Sequence, residues 1–211
     1  MNPELMNQVS DRLGANGLPY PIPIHPNLVH ITLGLFIIAI AFDIAGVLFP
    51  LEKSILKFLS IDAVRSNFFD VGWYNMVAAA IVTFFTVAAG FYEIMLATPR
   101  TDVKSAWGLQ AMETMLWHGV GGVLLLALIV GMTVWRGFQR FLWRKDTARQ
   151  VQWSYVLAGV FILGIMFVQG TLGAHLGGEF GVHNTAARLL QMDKDPNLVL
   201  QQPSKSLPTG A

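Results

Sequence analysis

Four stretches of this chain run for about 22–26 residues with no more than one Asp, Glu, Lys or Arg in each, enough to meet the roughly 20 apolar residues a helix needs to cross a hydrocarbon core about 30 Å thick. They fall at about Leu28–Phe49, Gly72–Leu96, Met112–Trp135 and Val151–Leu176. Inside lipid no water reaches the backbone amides and carbonyls, so each stretch must satisfy them internally, as a helix. Composition agrees: 13% of residues are charged, against about 25% in a soluble domain. The expected fold is all-α, an integral membrane four-helix bundle occupying residues 25–183 between polar tails at 1–24 and 184–211. The opening Met1-Asn2-Pro3-Glu4 lacks the basic and apolar regions of a signal peptide, so the first helix is expected to act as an uncleaved insertion signal.

Between the first two spans, residues 51–70 mix Glu52, Lys53, Lys57, Asp62 and Arg65 with Leu51, Ile55, Leu56, Phe58 and Leu59. That pattern predicts a short interfacial helix lying on the membrane. The 51–70 and 136–150 loops share one side and hold eight Lys/Arg in about 35 residues; the opposite side holds six across roughly twice that length. The positive-inside rule then puts those two loops in the cytoplasm and both termini outside it. Trp73, Trp135, Trp143 and Trp153 at the cytoplasmic face, and Trp107 and Trp117 at the other, fit interfacial belts.

Given this topology, the histidines gather. His30 starts the first span, His118 lies near the start of the third, and His175 ends the fourth, so all three reach the non-cytoplasmic face. His25 and His183 fall just beyond it. At about 1.5 Å per residue, His30 and His118 lie roughly 10–13 Å from the midplane, still within hydrocarbon. Pro26 suits the first position of a helix and disfavours the helical conformation for the residue before it, so His25 is expected to be extended on the approach to the span. Each of His30, His118 and His175 has a glycine about one turn away on its own helix: Gly34, Gly122 and Gly178. A missing side chain there would let a flat macrocycle lie against the backbone. The chain has no Cys, which excludes thiolate metal sites, cysteine-ligated iron–sulfur clusters, covalent c-type haem and disulfides. One or two b-type haems held by His25, His30, His118 and His175 are the expected cofactor.

Single histidines near an interface serve as ordinary hydrogen-bonding residues, and glycines in spans as packing residues. Five histidines on one face favour the cofactor. A bare zinc or copper ion is the rival ligand, although a structural zinc site usually has four protein ligands. Asp43 in the first span is expected to make a structural buried contact with the bundle. Glu93 lies near the histidine face, where it serves either as a proton or propionate contact or as a solvated helix end. No phosphate loop, nucleophile triad or basic nucleic-acid patch is present, and the sequence alone does not decide whether the protein is an enzyme.

The opening His25-Pro26-x-x-Val29-His30, Asp43 midway along the first span, and the glycine-rich ending that closes on Gly181-Val182 resemble a family of bacterial four-helix predicted membrane proteins of unknown function. The likeness covers about residues 22–183. Some members are joined to Rieske-type iron–sulfur domains, which implies electron transfer. This chain departs from the pattern at Ile31-Thr32, where Phe-Pro is usual, and in the inserted Ala174-His175. The resulting expectation is a membrane electron-transfer module in contact with the bilayer, other subunits of a membrane complex and a quinone pool, linked to a respiratory or photosynthetic complex. Its rivals are a cofactor-free accessory or assembly subunit and a metal-handling membrane protein.

Overall fold

The computed structural model describes residues 24–49, 53–58, 64–97, 99, 101–143 and 151–182. The expected tails lie outside the described residues except for Ile24, and His183 lies outside them too. Among the described residues five α-helices follow in order: α1 Ile24–Leu48, α2 Lys53–Phe58, α3 Arg65–Met95, α4 Ala111–Gly137, and α5 Trp153–Gly178. A π-helical turn, Phe138–Leu142, extends α4. Among the described residues there is no β-strand, and Lys104 and Gln110 form an isolated bridge. Four helices are long and apolar enough to cross a membrane: α1, α3, α4 with its extension, and α5. The all-α, four-span expectation is therefore met.

The chain divides into two compact units. One comprises His25–Phe91 and His118–Thr171; the other takes in Ile24, Tyr92–Trp117 and the chain from Leu172. In the first, the core is drawn from helical spacings: Phe36, Ala39 and Ile40 on α1, Met76 and Ala79 on α3, Leu125, Ile129 and Met132 on α4, and Ile162 and Met166 on α5. Outward positions stay apolar, with Phe84, Phe85, Phe161 and Phe167 all exposed, as contact with lipid requires. Helices approach closely where a side chain is missing: a Cβ on Gly159 would overlap Ile40, and one on Gly46 would overlap Phe69.

The span ends differ from expectation. Arg65 to Asp70, expected on the interfacial segment, belong to α3, and α2 is six residues long. The charges at this end are paired, so the helix continues through them: Arg65 Nε donates to the Gly46 carbonyl at 2.8 Å, and Arg140 pairs with Asp70 at 2.6 Å. Likewise α4 runs past Trp135, and Arg136, expected as the first residue of a basic loop, is fully buried.

In the second unit, the Ile24 amide donates to Glu93 Oε1 at 2.7 Å, so a carboxylate from α3 caps the start of α1. Glu93, weighed against a solvated helix end, is buried. With the helix starting at Ile24, His25 is helical rather than extended, and Pro26 is its third residue. First-turn amides have no partner within a helix, so the proline removes no bond there. The turn before α4 is closed by Ser105 and Leu109, with Gly108 at φ +77. Glu113 Oε2 then accepts the Gln110 amide at 2.9 Å, half of a capping box. Ala111, Leu176, Phe180 and Val182 form this unit's apolar cluster.

A paired-imidazole candidate site

His25 on α1 and His118 on α4 come together in the first unit, ring centroids 5.8 Å apart and planes nearly perpendicular at 83°. Each ring is held by a backbone carbonyl from a third or fourth span. His25 Nδ1 donates to the Thr86 carbonyl on α3 at 2.8 Å, and His118 Nδ1 donates to the Gln169 carbonyl on α5 at 3.2 Å. A carbonyl only accepts, so in each ring Nδ1 carries the proton, and the lone pair of the neutral imidazole sits on Nε2. Metal-bound histidines are oriented in this way, the second ring nitrogen donating to a carbonyl or carboxylate.

Two glycines make room for the pair: Gly90, on a different helix from His25, and Gly121, three residues after His118 on α4. A Cβ on Gly90 would stand 2.8 Å from His25 Cε1 and Nδ1, so the imidazole occupies that glycine's missing side chain. A Cβ on Gly121 would fall inside the Gln169 carboxamide, next to the carbonyl that holds His118. Thr86 is fixed in turn: its hydroxyl donates to the Val82 carbonyl at 2.8 Å and lies 2.9 Å from the buried Thr32 hydroxyl. By contrast, a Cβ on Gly34, Gly122 or Gly178, the glycines singled out by spacing, would have no neighbour within 4 Å.

The other described histidines make contacts of their own. His30 is exposed, and its Nδ1 donates to the Pro26 carbonyl one turn back at 2.6 Å. Once His25 is helical, five residues rotate His30 roughly 140° away from it. His175 belongs to the other unit, where its Nδ1 lies 3.1 Å from Glu179 Oε1.

Among the described residues no three His, Asp or Glu side chains are grouped to hold a bare ion. A zinc ion takes three or four protein ligands. A porphyrin brings four nitrogens of its own, so two imidazoles complete it. The donor set therefore fits haem iron better than a bare divalent metal.

The other polar cluster of this unit was only half visible in the sequence. Asp43 makes the buried contact expected of it, and its partner is Arg136: Nε donates to Oδ2 at 3.1 Å and Nη2 to Oδ1 at 3.0 Å, both side chains fully buried. Nη2 also donates to the Phe69 carbonyl at 3.2 Å, and a Cβ on Gly72 would strike the Asp43 carboxylate.

Fold and site thus define a membrane protein with four candidate spans and an imidazole pair between two of them. Residues 21–186 match the model of a family described as predicted membrane protein (DUF2231), and the chain belongs to that family. No curated protein and no solved structure matches it.

Proposed function

We propose that this protein is a membrane electron-transfer module in which His25 and His118 would hold a b-type haem. The observation that carries the reading is the pair itself: imidazoles from two spans, each with Nδ1 donating to a carbonyl from another span. Bound there, the haem would supply one-electron exchange. The chain's own part is to orient. The Thr86 and Gln169 carbonyls fix both rings in the tautomer with a basic Nε2, Gly90 admits the His25 ring, and the apolar spans keep water away. One haem replaces the one or two expected from four ligands, and His30 and His175 are released from the ligand set.

The membrane setting supports a quinone pool or a neighbouring membrane complex as the redox partner. The positive-inside count supports an orientation with both termini on the non-cytoplasmic side, which cysteine labelling of this cysteine-free chain would test. Labelling of a C-tail cysteine from the cytoplasm would reverse it. The rival of a cofactor-free accessory subunit draws on the same hydrogen bonds, since both rings meet polar needs within the protein. A reduced-minus-oxidised visible spectrum of the purified protein separates the two. The expected result is a b-type spectrum that survives chelator, disappears in His25→Ala and His118→Ala, and persists in His30→Ala and His175→Ala. A colourless preparation overturns the haem reading, and chelator-removable stoichiometric zinc or copper would favour the metal-handling rival.

A further inference from the structure

Released from haem ligation, His175 stands in an arrangement of its own, in the last turn of α5. Its Nδ1 lies 3.1 Å from Glu179 Oε1, one helical turn on. The carboxylate is itself anchored: Oε1 and Oε2 accept the Ala106 amide at 3.2 and 3.0 Å. An ionised carboxylate only accepts, so Nδ1 carries a proton, and in the neutral ring the lone pair is on Nε2. That Nε2 is buried and, among the described residues, makes no hydrogen bond. A buried acceptor with no donor is a net cost to the fold and calls for an explanation. Trp107 packs edge-to-face on the imidazole, centroids 5.2 Å apart, and about half of its surface is exposed.

We propose that His175 and Glu179 form a binding site for a weakly acidic ring hydroxyl, of the class carried by a lipid-soluble hydroquinone, whose hydrogen bond His175 Nε2 accepts. Several features select this guest. The only unmet requirement in the cluster is for a donor, which a hydroxyl supplies and a quinone carbonyl does not. A metal ion would need more ligands than this imidazole, and no group of three is formed among the described residues. The site ends a membrane-spanning helix, where a head group held at the lipid–water boundary meets the protein, and Trp107 offers a flat aromatic surface beside the imidazole. The choice of a hydroquinone over another phenol rests on the electron-transfer reading; the hydroxyl-accepting geometry does not. The proposal concerns binding alone and includes no electron or proton transfer.

The test is isothermal titration of the full-length, detergent-purified protein with a decyl-tailed benzohydroquinone under reducing, anaerobic conditions, with the matching quinone titrated separately. The hydroquinone should bind saturably and the quinone about tenfold or more weakly, because it lacks the donor. His175→Ala should weaken hydroquinone binding by a similar factor. Glu179→Gln keeps an acceptor for the Ala106 amide but removes the charge behind Nδ1, and it should weaken binding several-fold; it also serves if His175→Ala fails to assemble. His118→Ala should bind the hydroquinone as the unaltered protein does, so loss of the haem reading and loss of this one are told apart. Equal binding of quinone and hydroquinone, unchanged binding in His175→Ala or Glu179→Gln, or no saturable binding overturns the proposal. So does stoichiometric zinc uptake that His175→Ala abolishes, which would make the imidazole a metal ligand.

Discussion

The Asp43–Arg136 pair and the His25–His118 pair lie within one unit of the molecule, and each joins α1 to α4 through polar side chains. They solve opposite problems. Asp43 and Arg136 are charges removed from water, and their bonds are mutual: a two-point guanidinium–carboxylate contact with one more bond to the Phe69 carbonyl. Such a cluster is closed and holds helices in register. The imidazoles instead bond outward, each Nδ1 donating to a carbonyl of another helix, with the rings 5.8 Å apart. That cluster orients two rings against each other and, in the proposed function, toward a cofactor. Stability should therefore depend on the first pair and cofactor content on the second.

The largest expected effect breaks the charge pair. Arg136→Met leaves a buried carboxylate without its partner, and removal of one member of a buried pair costs about 3–5 kcal/mol. Thermal unfolding in detergent should show a large drop in midpoint. The double variant Asp43→Leu with Arg136→Met should recover most of it, since an apolar pair of similar volume is often neutral. If the single variant instead kept its midpoint and lost bound haem, the division of labour between the two pairs would be wrong.

The complementary change is His118→Ala. It should remove the haem spectrum while lowering the unfolding midpoint by less than Arg136→Met does, because the Gln169 carbonyl it leaves still lies in a helix and retains a backbone partner. Equal loss of stability in the two variants would make the imidazole pair another structural clasp.

These two clusters were unequally legible in the sequence. The four spans follow from apolar runs whose length alone decides the matter. Asp43 is visible because an acid in a 25-residue apolar helix must find a partner. Arg136 is hidden because it stands one residue beyond Trp135 and opens a run of basic residues, so it reads as a flank. Only the opposing helix shows that α4 continues and brings it inside. The histidines stand out, but their pairing does not, because pairing depended on whether His25 was helical, and that was set by Glu93, 69 positions away. The glycine that seats His25 was hidden for a related reason. Spacing along one helix picks out Gly34, Gly122 and Gly178, whereas the seat for His25 is Gly90, on a neighbouring helix.

That last difference gives the next measurement. Gly90→Ala puts a methyl where the His25 ring lies, 2.8 Å from two of its atoms. The ring must turn away from the Thr86 carbonyl, and loss of such a supporting contact typically weakens a bound metal about 10–100-fold. Haem occupancy at limiting haem should fall accordingly. Gly122→Ala meets no neighbour and should hold haem normally, with stability unchanged or raised by roughly 0.5–1 kcal/mol from the helix preference of alanine over glycine. If Gly122→Ala rather than Gly90→Ala reduced haem content, the macrocycle would lie where helix spacing alone suggested.

The smallest effect tests how finely the imidazole is held. The Thr86 carbonyl binds His25, while its hydroxyl meets the Val82 carbonyl and the Thr32 hydroxyl. Thr86→Val keeps the carbonyl and the side-chain shape but deletes the hydroxyl. The Thr32 hydroxyl then loses a buried partner, at a cost of about 1 kcal/mol. Because the bond to His25 comes from the main chain, haem content should stay near that of the unaltered protein while the unfolding midpoint falls slightly. A drop in haem content as large as that of Gly90→Ala would mean that the two threonines position the α3 carbonyl itself. The hydroxyl pair would then belong with the imidazoles rather than with the helix-holding contacts typified by Asp43 and Arg136.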